Sequence, residues 1–167
     1  DSIPQLAGKA GFKWVNDILI EDAKVCGVLA QTQLQGYKIA SAVLGIGLNV
    51  EQSPKVAPDS YIPRASCIND FLNNNDQVDE KDIFLKLIKN LSVNYEKLLG
   101  GRYHELLEIY RMRSVIIGRE ARLISDPASG APHELCRGRI SAIGENLELY
   151  FEGDEKPYIN GRLIIDK

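Results

Sequence analysis

The 167-residue sequence predicts an α+β fold in two parts, a strand-and-helix domain over residues 1–113 and a small β-barrel over residues 114–167. Two observations lead to this prediction. Apolar residues recur at helical spacing from residue 79 to residue 112, after about fifty residues that read as strands. Beyond Ser114, short apolar segments alternate with turn-forming residues, a pattern that is typical of a small barrel.

Strand-like stretches fill the first part of the chain up to a long loop. They cover residues 12–20, 25–34 and 37–50. The polar pair Asn16-Asp17 interrupts the first stretch, and a tight turn at Gln35-Gly36 joins the other two. The last stretch is so rich in aliphatic residues and glycine that we expect it to be buried on both faces. Residues 51–65 hold three prolines and predict a loop, and so long a loop is more often a functional lid than a simple connection.

Two helices follow the loop and are interpreted as scaffold. The first is predicted over residues 79–99, where Asp79 can cap the first turn and Gly100-Gly101 can end the last one. The second is predicted over residues 102–112. The strands of the barrel are predicted at residues 114–117, 121–125, 137–143, 147–151 and 163–165, with turns at residues 126–130, 144–146 and 153–154.

Composition and charge exclude several classes of function. Apolar residues make up 44% and charged residues 26% of the chain, as in ordinary globular domains. The net charge of −3 offers no electrostatic case for nucleic acid, and no apolar run approaches the ~20 residues of a membrane span. Three widely spaced cysteines and two histidines argue against a disulfide framework and against a resident metal site. A reducing compartment, most simply the cytoplasm, fits these cysteines, and the sequence leaves an organelle open.

The first candidate site combines Asn16-Asp17 with Lys24 and Gly27. A polar pair between two apolar pieces must either turn the chain at the surface or face a polar site. Lys24 stands at the start of an apolar strand, where its ammonium could act as a point charge for a carboxylate or a phosphate. An adenylation reaction needs such a cation, because the attacking carboxylate and the α-phosphate are both negative. Gly27 would let a ligand lie against the backbone, but a hairpin with a solvated lysine and a packing glycine explains the same residues.

The second candidate site is the strand that carries Gly45, Gly47 and Asn49. Glycines at alternate positions leave one face of a strand bare, so a flat ligand or another backbone can approach. Asn49 offers a donor and an acceptor at the strand end, which suits an adenine edge or a ribose. The pattern is not the dinucleotide fingerprint, because the third glycine and the following helix are missing. A strand with closely packed neighbours is the alternative interpretation.

Taken together, three segments resemble the biotin protein ligase and holocarboxylase synthetase family. They are Lys13-Trp14-Val15-Asn16-Asp17, Lys24-Val25-Cys26-Gly27-Val28-Leu29 and Gly45-Ile46-Gly47-Leu48-Asn49. The family has a Lys-Trp-Pro-Asn-Asp segment, a lysine just ahead of Gly-Ile-Leu, and a Gly-x-Gly-x-Asn strand, and both order and spacing match. Residues 66–70 resemble the eukaryotic holocarboxylase synthetases. The family's mixed sheet with helices and its C-terminal SH3-like barrel agree with the predicted elements.

This resemblance implies a two-step ligase reaction and a role for each motif residue. Biotin and ATP, with Mg²⁺, form biotinyl-5'-AMP and pyrophosphate, and biotin then passes to a lysine in the biotin carrier domain of a carboxylase. Lys24 and Asp17 would be catalytic, with Lys24 on the biotin carboxylate and Asp17 on the ATP and magnesium side or orienting the acceptor lysine. The implied biotin contacts are Lys24, Gly27, Leu29, Gly45 and Gly47, and the implied ATP or adenylate contacts are Lys13, Asn16 and Asn49. Residues 51–65 would correspond to the segment that closes over the adenylate.

Two departures from the family pattern bear on activity. Val15 stands where the family usually has proline, so the turn before Asn16-Asp17 loses a fixed φ. The family's Gly-Arg-rich loop and the residues that read the biotin ring lie upstream of the Lys-Trp motif and are not in this sequence. We therefore expect a C-terminal part of the catalytic unit plus the C-terminal domain, inactive or nearly so by itself. Robust biotin-dependent ATP–pyrophosphate exchange by this chain would contradict that expectation.

Other functions stay open at the level of the sequence. A lipoate–protein ligase relative would share the fold and a similar Asn-Asp plus lysine arrangement, but would take a dithiolane acid in place of a ureido ring. A non-catalytic module that binds carrier domains or dimerises belongs to another class. The sequence leaves undecided whether a homodimer forms, which protein accepts biotin and whether a repressor role exists.

Overall fold

Two antiparallel sheets and two helices make up the computed structural model, which describes residues 3–56, 64–126 and 130–166. The strands in chain order are β1 (Ala10–Lys13), β2 (Asp17–Ile20), β3 (Ala23–Gln35), β4 (Lys38–Leu48), β5 (Glu120–Ile124), β6 (Glu134–Ile143), β7 (Leu149–Phe151), β8 (Asp154–Tyr158) and β9 (Arg162–Ile165). The helices are α1 (Glu80–Leu99) and α2 (Tyr103–Met112), and short 3₁₀ turns lie at Pro4–Leu6, Ile68–Phe71 and Asn74–Asp76. This is an α+β arrangement of sheets and helices, as the sequence predicts.

The first sheet is a meander in the order β1-β2-β3-β4, so each strand pairs with its neighbour in sequence. The polar pair Asn16-Asp17 does turn the chain, because β1 ends at Lys13 and β2 begins at Asp17. The turn between β3 and β4 falls at residues 36 and 37, one residue later than predicted. Gly36 has a φ of 64°, a left-handed conformation that glycine adopts without strain.

Strand β4 is exposed along most of its length, so the expectation that it is buried on both faces is wrong. The side chains of Ile39 and Val43 are 65% and 66% exposed. The reason is position: β4 is the edge strand of its sheet, and no helix or strand in the described part of the chain packs extensively on its faces. An aliphatic sequence sets the tendency to form a strand but does not supply the element that covers it.

Helix α1 is confirmed, including its cap. The Asp79 carboxylate accepts a hydrogen bond from the Asp82 backbone N–H at 2.9 Å, and Gly100 follows the last turn. Ile83 is the residue of this helix that the structure buries, whereas apolar positions such as Phe84 and Leu98 are exposed. Helix α2 follows directly and contacts α1.

The second sheet has the order β8-β7-β6-β5-β9. Four of the five predicted strands are present, but residues 114–117 form only an isolated parallel bridge, between Ser114 and Phe12. Strand β8 was not predicted, since Asp154–Tyr158 is mostly charged. The predicted turn at residues 126–130 lies partly outside the described residues. Among the described pairings, β8 and β9 are edges that do not bond to each other, so closure into a barrel is not demonstrated.

A junction of hydrogen bonds holds the two sheets together. The Phe12 N–H donates to the Arg113 carbonyl at 2.8 Å, and the Val115 N–H donates to the Phe12 carbonyl at 2.9 Å. Trp14 is 3% exposed and belongs to the apolar cluster of the second sheet, where its indole N–H donates to the Leu147 carbonyl at 2.7 Å. The hairpin that carries Asn16-Asp17 is thus anchored on the second sheet.

No described helix is long and apolar enough to cross a membrane.

Candidate functional site

Strand register brings the sequence motifs into one row across the first sheet. Lys13 of β1 lies opposite Asp17 of β2, Asp17 lies opposite Gly27 of β3, and Gly27 lies opposite Gly47 of β4. Residues opposite each other in adjacent strands share one face of the sheet. Antiparallel pairing therefore converts three motifs that are separated along the chain into one continuous surface.

A cluster of two lysines around one carboxylate occupies one end of this row. The Lys24 Nζ atom lies 2.5 Å from Asp17 Oδ1, and the Lys13 Nζ atom lies 3.6 Å from Asp17 Oδ2. The three side chains are largely buried, with 25%, 12% and 13% of Lys24, Lys13 and Asp17 exposed. Burial lowers the pKa of Lys13, and Lys24 lowers it further, against the opposing effect of Asp17. Asp17 thus holds two ammonium groups, of which Lys24 is the more exposed.

An open groove of about 490 Å³ begins at Lys24 and runs over β3 and β4. Its lining consists of Asn16, Lys24, Gly27, Val28, Leu29, Gly45, Ile46 and Gly47. At Gly45 and Gly47 an added Cβ would meet only a carbonyl of the neighbouring strand, at 3.7 and 3.8 Å. Bare backbone therefore forms much of this wall, which suits close approach by a flat ligand.

Gly27 has a more specific reason to lack a side chain. A Cβ there would lie 3.1 Å from Lys24 Nζ, 3.2 Å from Lys24 Cε and 3.6 Å from Asp17 Oδ1. The glycine leaves the space through which the Lys24 side chain reaches Asp17. Gly27 therefore shapes the charged cluster as well as the groove.

Asn16 lies in the groove and is fixed by a reciprocal contact with β3. Its amide nitrogen donates to the Val28 carbonyl at 2.6 Å, and the Val28 N–H donates to the Asn16 carbonyl at 2.8 Å. Asn49 lies elsewhere: it follows β4, is not part of the groove lining, and its amide nitrogen donates to the Ser66 carbonyl at 3.0 Å. Lys13 also lies outside the lining. Its ammonium contacts Asp17, which in turn contacts the lining residue Lys24. Leu29 is 60% exposed at the groove.

A neighbouring segment, residues 64–66, supports Lys24 from the side. The Lys24 N–H donates to the Arg64 carbonyl at 2.9 Å, and the Ser66 N–H donates to the Lys24 carbonyl at 3.0 Å. Asp70 in turn accepts hydrogen bonds from the hydroxyls of Ser53 and Ser66. The sequence marks residues 66–70 only by their resemblance to the eukaryotic holocarboxylase synthetases, and the contacts of Ser53 and Ser66 with Asp70 appear only in the folded chain.

Tyr110 of α2 is a second group that the sequence did not single out. Its ring stacks on Phe12 with centroids 5.0 Å apart, and its hydroxyl donates to the Val15 carbonyl at 3.2 Å. Burial, and then the Asp17 carboxylate, raise the pKa of Tyr110, which keeps the phenol protonated. Its helical spacing marked it only as a member of an apolar face.

Within the described residues, no group of three or more His, Cys, Asp or Glu side chains could hold a metal ion. Asp17 contacts the groove residue Lys24, and each of its oxygens faces a lysine ammonium. A carboxylate neutralised in this way is a poor direct ligand for Mg²⁺, which is commonly bound through substrate phosphates.

Comparisons with known proteins identify curated relatives of the chain. The bifunctional ligase/repressor BirA of Bacillus subtilis is 41% identical over 121 residues, which is 72% of this chain and 37% of that protein. The biotin--[acetyl-CoA-carboxylase] ligase of Mycobacterium tuberculosis is 31% identical over 115 residues, which is 69% of this chain and 39% of that protein. No family model matches the chain.

The fold also has a solved counterpart. A biotin protein ligase from Aquifex aeolicus, in complex with biotin and ATP, matches with a TM-score of 0.69 at 21% identity, over 99% of this chain and 70% of that one. The chain spans less than two fifths of the length of the two curated relatives. On these matches, and on the motif residues gathered in one row of the sheet, the chain belongs to the biotin protein ligase family.

Proposed function

We propose that this chain is part of an ATP-dependent biotin–protein ligase. The observation that carries the proposal is the ammonium of Lys24, held by Asp17 at the end of a groove whose wall is glycine backbone. In the first step a biotin carboxylate oxygen attacks the α-phosphorus of ATP, and pyrophosphate leaves. In the second step the amine of an acceptor lysine attacks the acyl carbon, AMP leaves, and the amine loses a proton.

Lys24 would act by charge in both steps. Negative charge concentrates between the carboxylate and the α-phosphate in the first step, and a preorganised cation stabilises it. Asp17 would keep that cation in place and could also orient the acceptor amine. The backbone at Gly27, Gly45 and Gly47 would lie against the biotin ring, and Leu29 would add an apolar contact.

The nucleotide would occupy the Asn16 side of the site. Asn16 lines the groove beside Lys24, which supports a direct contact to the adenylate. Lys13 would act through Asp17, since that carboxylate lies between it and the groove. Asn49 would act through Ser66, to whose carbonyl it donates. We propose that Mg²⁺ enters on the ATP phosphates.

The same proposal covers the finer architecture. We propose that residues 1–113 and 114–167 are two domains and that the second is an SH3-like barrel. Its support is the common apolar cluster of the second sheet, which includes Leu123, Ile140 and Leu149. The contribution of Trp14 to that cluster means that the two domains share an interface.

The proposed protein partner is the biotin carrier domain of a biotin-dependent carboxylase, acting in the cytoplasm. We also propose that the chain can form a homodimer. The exposed edge strand β4 supports association, because its outer backbone groups have no strand partner within the described residues.

A calorimetric titration with a non-hydrolysable biotinyl-adenylate analogue tests the ligase proposal. Replacing Lys24 by alanine should weaken binding at least tenfold, consistent with the ~1.5–3 kcal/mol of a hydrogen bond to a charged group. Lys81→Ala, on the exposed face of α1, removes the same charge far from the groove and should bind like the parent. Equal affinity in the Lys24 variant and the parent would refute the role of Lys24.

A second titration separates the related functions. A lipoyl-adenylate analogue that binds more tightly than the biotinyl one would favour a lipoate–protein ligase. Tight binding of a carrier domain without binding of either adenylate would favour a non-catalytic module. The ligase proposal expects preference for the biotinyl compound.

A further inference from the structure

One carboxylate oxygen ties together two separate stretches of the chain beside Lys24. Asp70 Oδ2 accepts a hydrogen bond from Ser53 Oγ at 2.5 Å and another from Ser66 Oγ at 2.5 Å. The backbone N–H of Cys67 donates to the same oxygen at 3.3 Å. Ser53 follows β4 and Ser66 precedes the 3₁₀ turn that contains Asp70, so the contacts fasten both stretches to one point.

This point connects directly to the backbone of Lys24. Ser66 donates its N–H to the Lys24 carbonyl, and Lys24 donates its N–H to the Arg64 carbonyl. These bonds form a short parallel bridge between Lys24 and Ala65. Displacing Ser66 would therefore remove the hydrogen-bond partners of Lys24 on this side.

The opposite side of Lys24 offers weaker support. Pairing between β2 and β3 is interrupted there, since Leu19 pairs with Lys24 and Ile18 with Cys26, so Val25 has no opposite residue. A bulge of this kind disrupts the hydrogen-bond ladder locally and allows the strand to bend. At this bulge the direction of the Lys24 side chain therefore depends on the hydrogen bonds that Lys24 makes with Arg64 and Ser66 on the other edge of β3.

We propose that Asp70 is a positioning residue for Lys24, acting through Ser66 and the short bridge beside β3. The inference rests on the proposed function, because it assigns Lys24 its catalytic role. The Asp70 carboxylate does not touch the groove and would contact neither biotin nor ATP. Asp70 holds Ser66, and Ser66 hydrogen-bonds to the bulged part of β3, so that the ammonium of Lys24 contacts Asp17.

The charge of Asp70 suits this task over the physiological pH range. Hydrogen bonds from the hydroxyls of Ser53 and Ser66, and then from the Cys67 N–H, lower the pKa of Asp70 to about 2. The carboxylate is therefore ionised near neutral pH, and its hydrogen bonds are charge-assisted. Positioning by Asp70 should be constant over that range.

Amide hydrogen exchange tests the positioning without any ligand. In Asp70→Ala, the Lys24 and Ser66 amides should exchange at least about tenfold faster than in the parent, because both amides belong to the bridge that is loosened. Ser66→Ala, a milder change that removes one hydroxyl, should accelerate the same two amides to a smaller extent. Asp70→Asn, which keeps an acceptor oxygen, should restore part of the protection.

Asp79→Ala provides the matched control, since it removes a capping carboxylate from α1 and leaves the bridge intact. In that variant the Lys24 and Ser66 amides should exchange as in the parent. Unchanged exchange of these two amides in both Asp70→Ala and Ser66→Ala would overturn the inference, whatever the ligand results.

A double-mutant cycle then tests whether the effect passes through Lys24. Asp70→Ala should weaken binding of the biotinyl-adenylate analogue about tenfold in the parent but hardly at all in a Lys24→Ala background, because coupled residues are not additive. If Asp70→Ala lowers the affinity for the analogue about tenfold in both backgrounds, the link to Lys24 is overturned. If the parent itself does not bind the analogue, the proposed function fails, and the exchange measurement alone decides whether Asp70 positions the bridge.

Discussion

Asp17 serves two lysines at once, and the two differ in their surroundings. Its contact with Lys24 is short, at 2.5 Å, and its contact with Lys13 is longer, at 3.6 Å. Burial lowers the pKa of Lys13, whereas Asp17 opposes that shift. Removing the carboxylate should therefore destabilise the charged form of Lys13 in the folded protein.

The first prediction concerns Asp17→Asn and its dependence on pH. Without Asp17, the pKa of Lys13 falls further below its ordinary 10.5, so the unfolded chain binds this proton more tightly than the folded chain. The free energy of unfolding should drop by about 1–3 kcal/mol near neutral pH, where both states are protonated. This difference in the free energy of unfolding between variant and parent should shrink as the pH rises. The decrease should begin near the lowered pKa of Lys13 in the folded variant and end near the pKa of Lys13 in the unfolded chain. Urea denaturation of the parent and the variant between about pH 7 and pH 10 measures it.

Lys13→Met supplies the control for this prediction. In that background the Lys13 ammonium is gone, so its share of the narrowing of the Asp17→Asn deficit with pH should be lost. A deficit that stays constant with pH when Lys13 is present would show that Asp17 stabilises the fold by another route.

The second prediction concerns Gly27→Ala. The new methyl group would lie 3.1 Å from Lys24 Nζ and 3.2 Å from Cε, and the flexible end of the lysine can move away. We expect stability to change by less than about 1 kcal/mol, because alanine is tolerated in a strand. Binding of the biotinyl-adenylate analogue should weaken about tenfold, or about 1.4 kcal/mol, because the ammonium leaves Asp17.

A crystal structure of each variant checks the cause. In Gly27→Ala the contact between Lys24 and Asp17 should be broken. In Gly45→Ala it should persist, since a Cβ there meets only the Leu29 carbonyl at 3.7 Å. An intact contact in Gly27→Ala would show that the glycine serves the groove wall alone.

The site residues proposed from the sequence are those whose chemistry is visible in their type and spacing. Lys24, Asp17 and Gly27 stood out because a lysine, a polar pair and a glycine interrupt apolar strands. Asp70 stood out only as a member of residues 66–70, which resemble the eukaryotic holocarboxylase synthetases, because its contacts with Ser53 and Ser66 depend on where the 3₁₀ turn places it. Asn49 was assigned by its position in a motif, and the fold shows its amide bound to a loop carbonyl.

At the scale of elements, Gly11 of β1 controls how the segment after α2 docks on the first sheet. A Cβ at this position would lie 2.1 Å from Val115 Cγ1 and 2.9 Å from the Arg113 carbonyl oxygen. The glycine therefore allows residues 113–115 to pair with Phe12. Without that pairing, the sheets would lose two of the backbone hydrogen bonds that join them.

The third prediction is that Gly11→Ala destabilises the protein by about 1–3 kcal/mol, the usual cost of overpacking a close contact. Chemical denaturation measures the loss. Adding Val115→Ala should recover part of it, because the clash with Val115 Cγ1 disappears and the clash with the Arg113 carbonyl remains. No recovery in the double variant would indicate that the backbone clash alone accounts for the loss.

Local sequence predicted elements better than it predicted their surroundings. Apolar patterning located both helices, β3 and β4 within a few residues, and it predicted one interrupted stretch over residues 12–20 where the structure has β1 and β2. It could not say what would cover β4, because burial depends on elements packed from elsewhere. It also missed β8, since the residues of Asp154–Tyr158 do not alternate between apolar and polar, and the strand forms by pairing with β7.

At the scale of the molecule, the two sheets are joined through side chains as well as backbone. Trp14 of the β1–β2 hairpin is buried among residues of the second sheet. Arg119, which precedes β5, pairs with Asp22 of the β2–β3 turn at 2.7 Å. In addition, the Tyr103 hydroxyl of α2 donates to the Glu145 carbonyl at 2.8 Å, and the Arg111 guanidinium donates to the Ile143 carbonyl at 2.9 Å. Helix α2 is therefore fastened to the second sheet.

The fourth prediction is that the two halves unfold in one transition. Trp14 is the only tryptophan of the chain, so its fluorescence reports the core of the second sheet. Circular dichroism at the helical band reports mainly α1 and α2. The two signals should share one midpoint in urea, because the hairpin that carries Trp14 cannot leave that core without releasing the first sheet.

Trp14→Phe tests the strength of this link. The ring is largely kept, but the part-buried hydrogen bond to the Leu147 carbonyl is lost, and leaving that carbonyl without its donor costs about 1 kcal/mol. The helical signal, which still reports in this variant, should shift to lower urea as one transition. Two transitions in the helical signal of Trp14→Phe would show that the second sheet folds independently. Different urea midpoints for fluorescence and circular dichroism in the parent would show the same of the second sheet. Its influence on the Asn16-Asp17 hairpin would then come from docking between two stable domains rather than from a shared core.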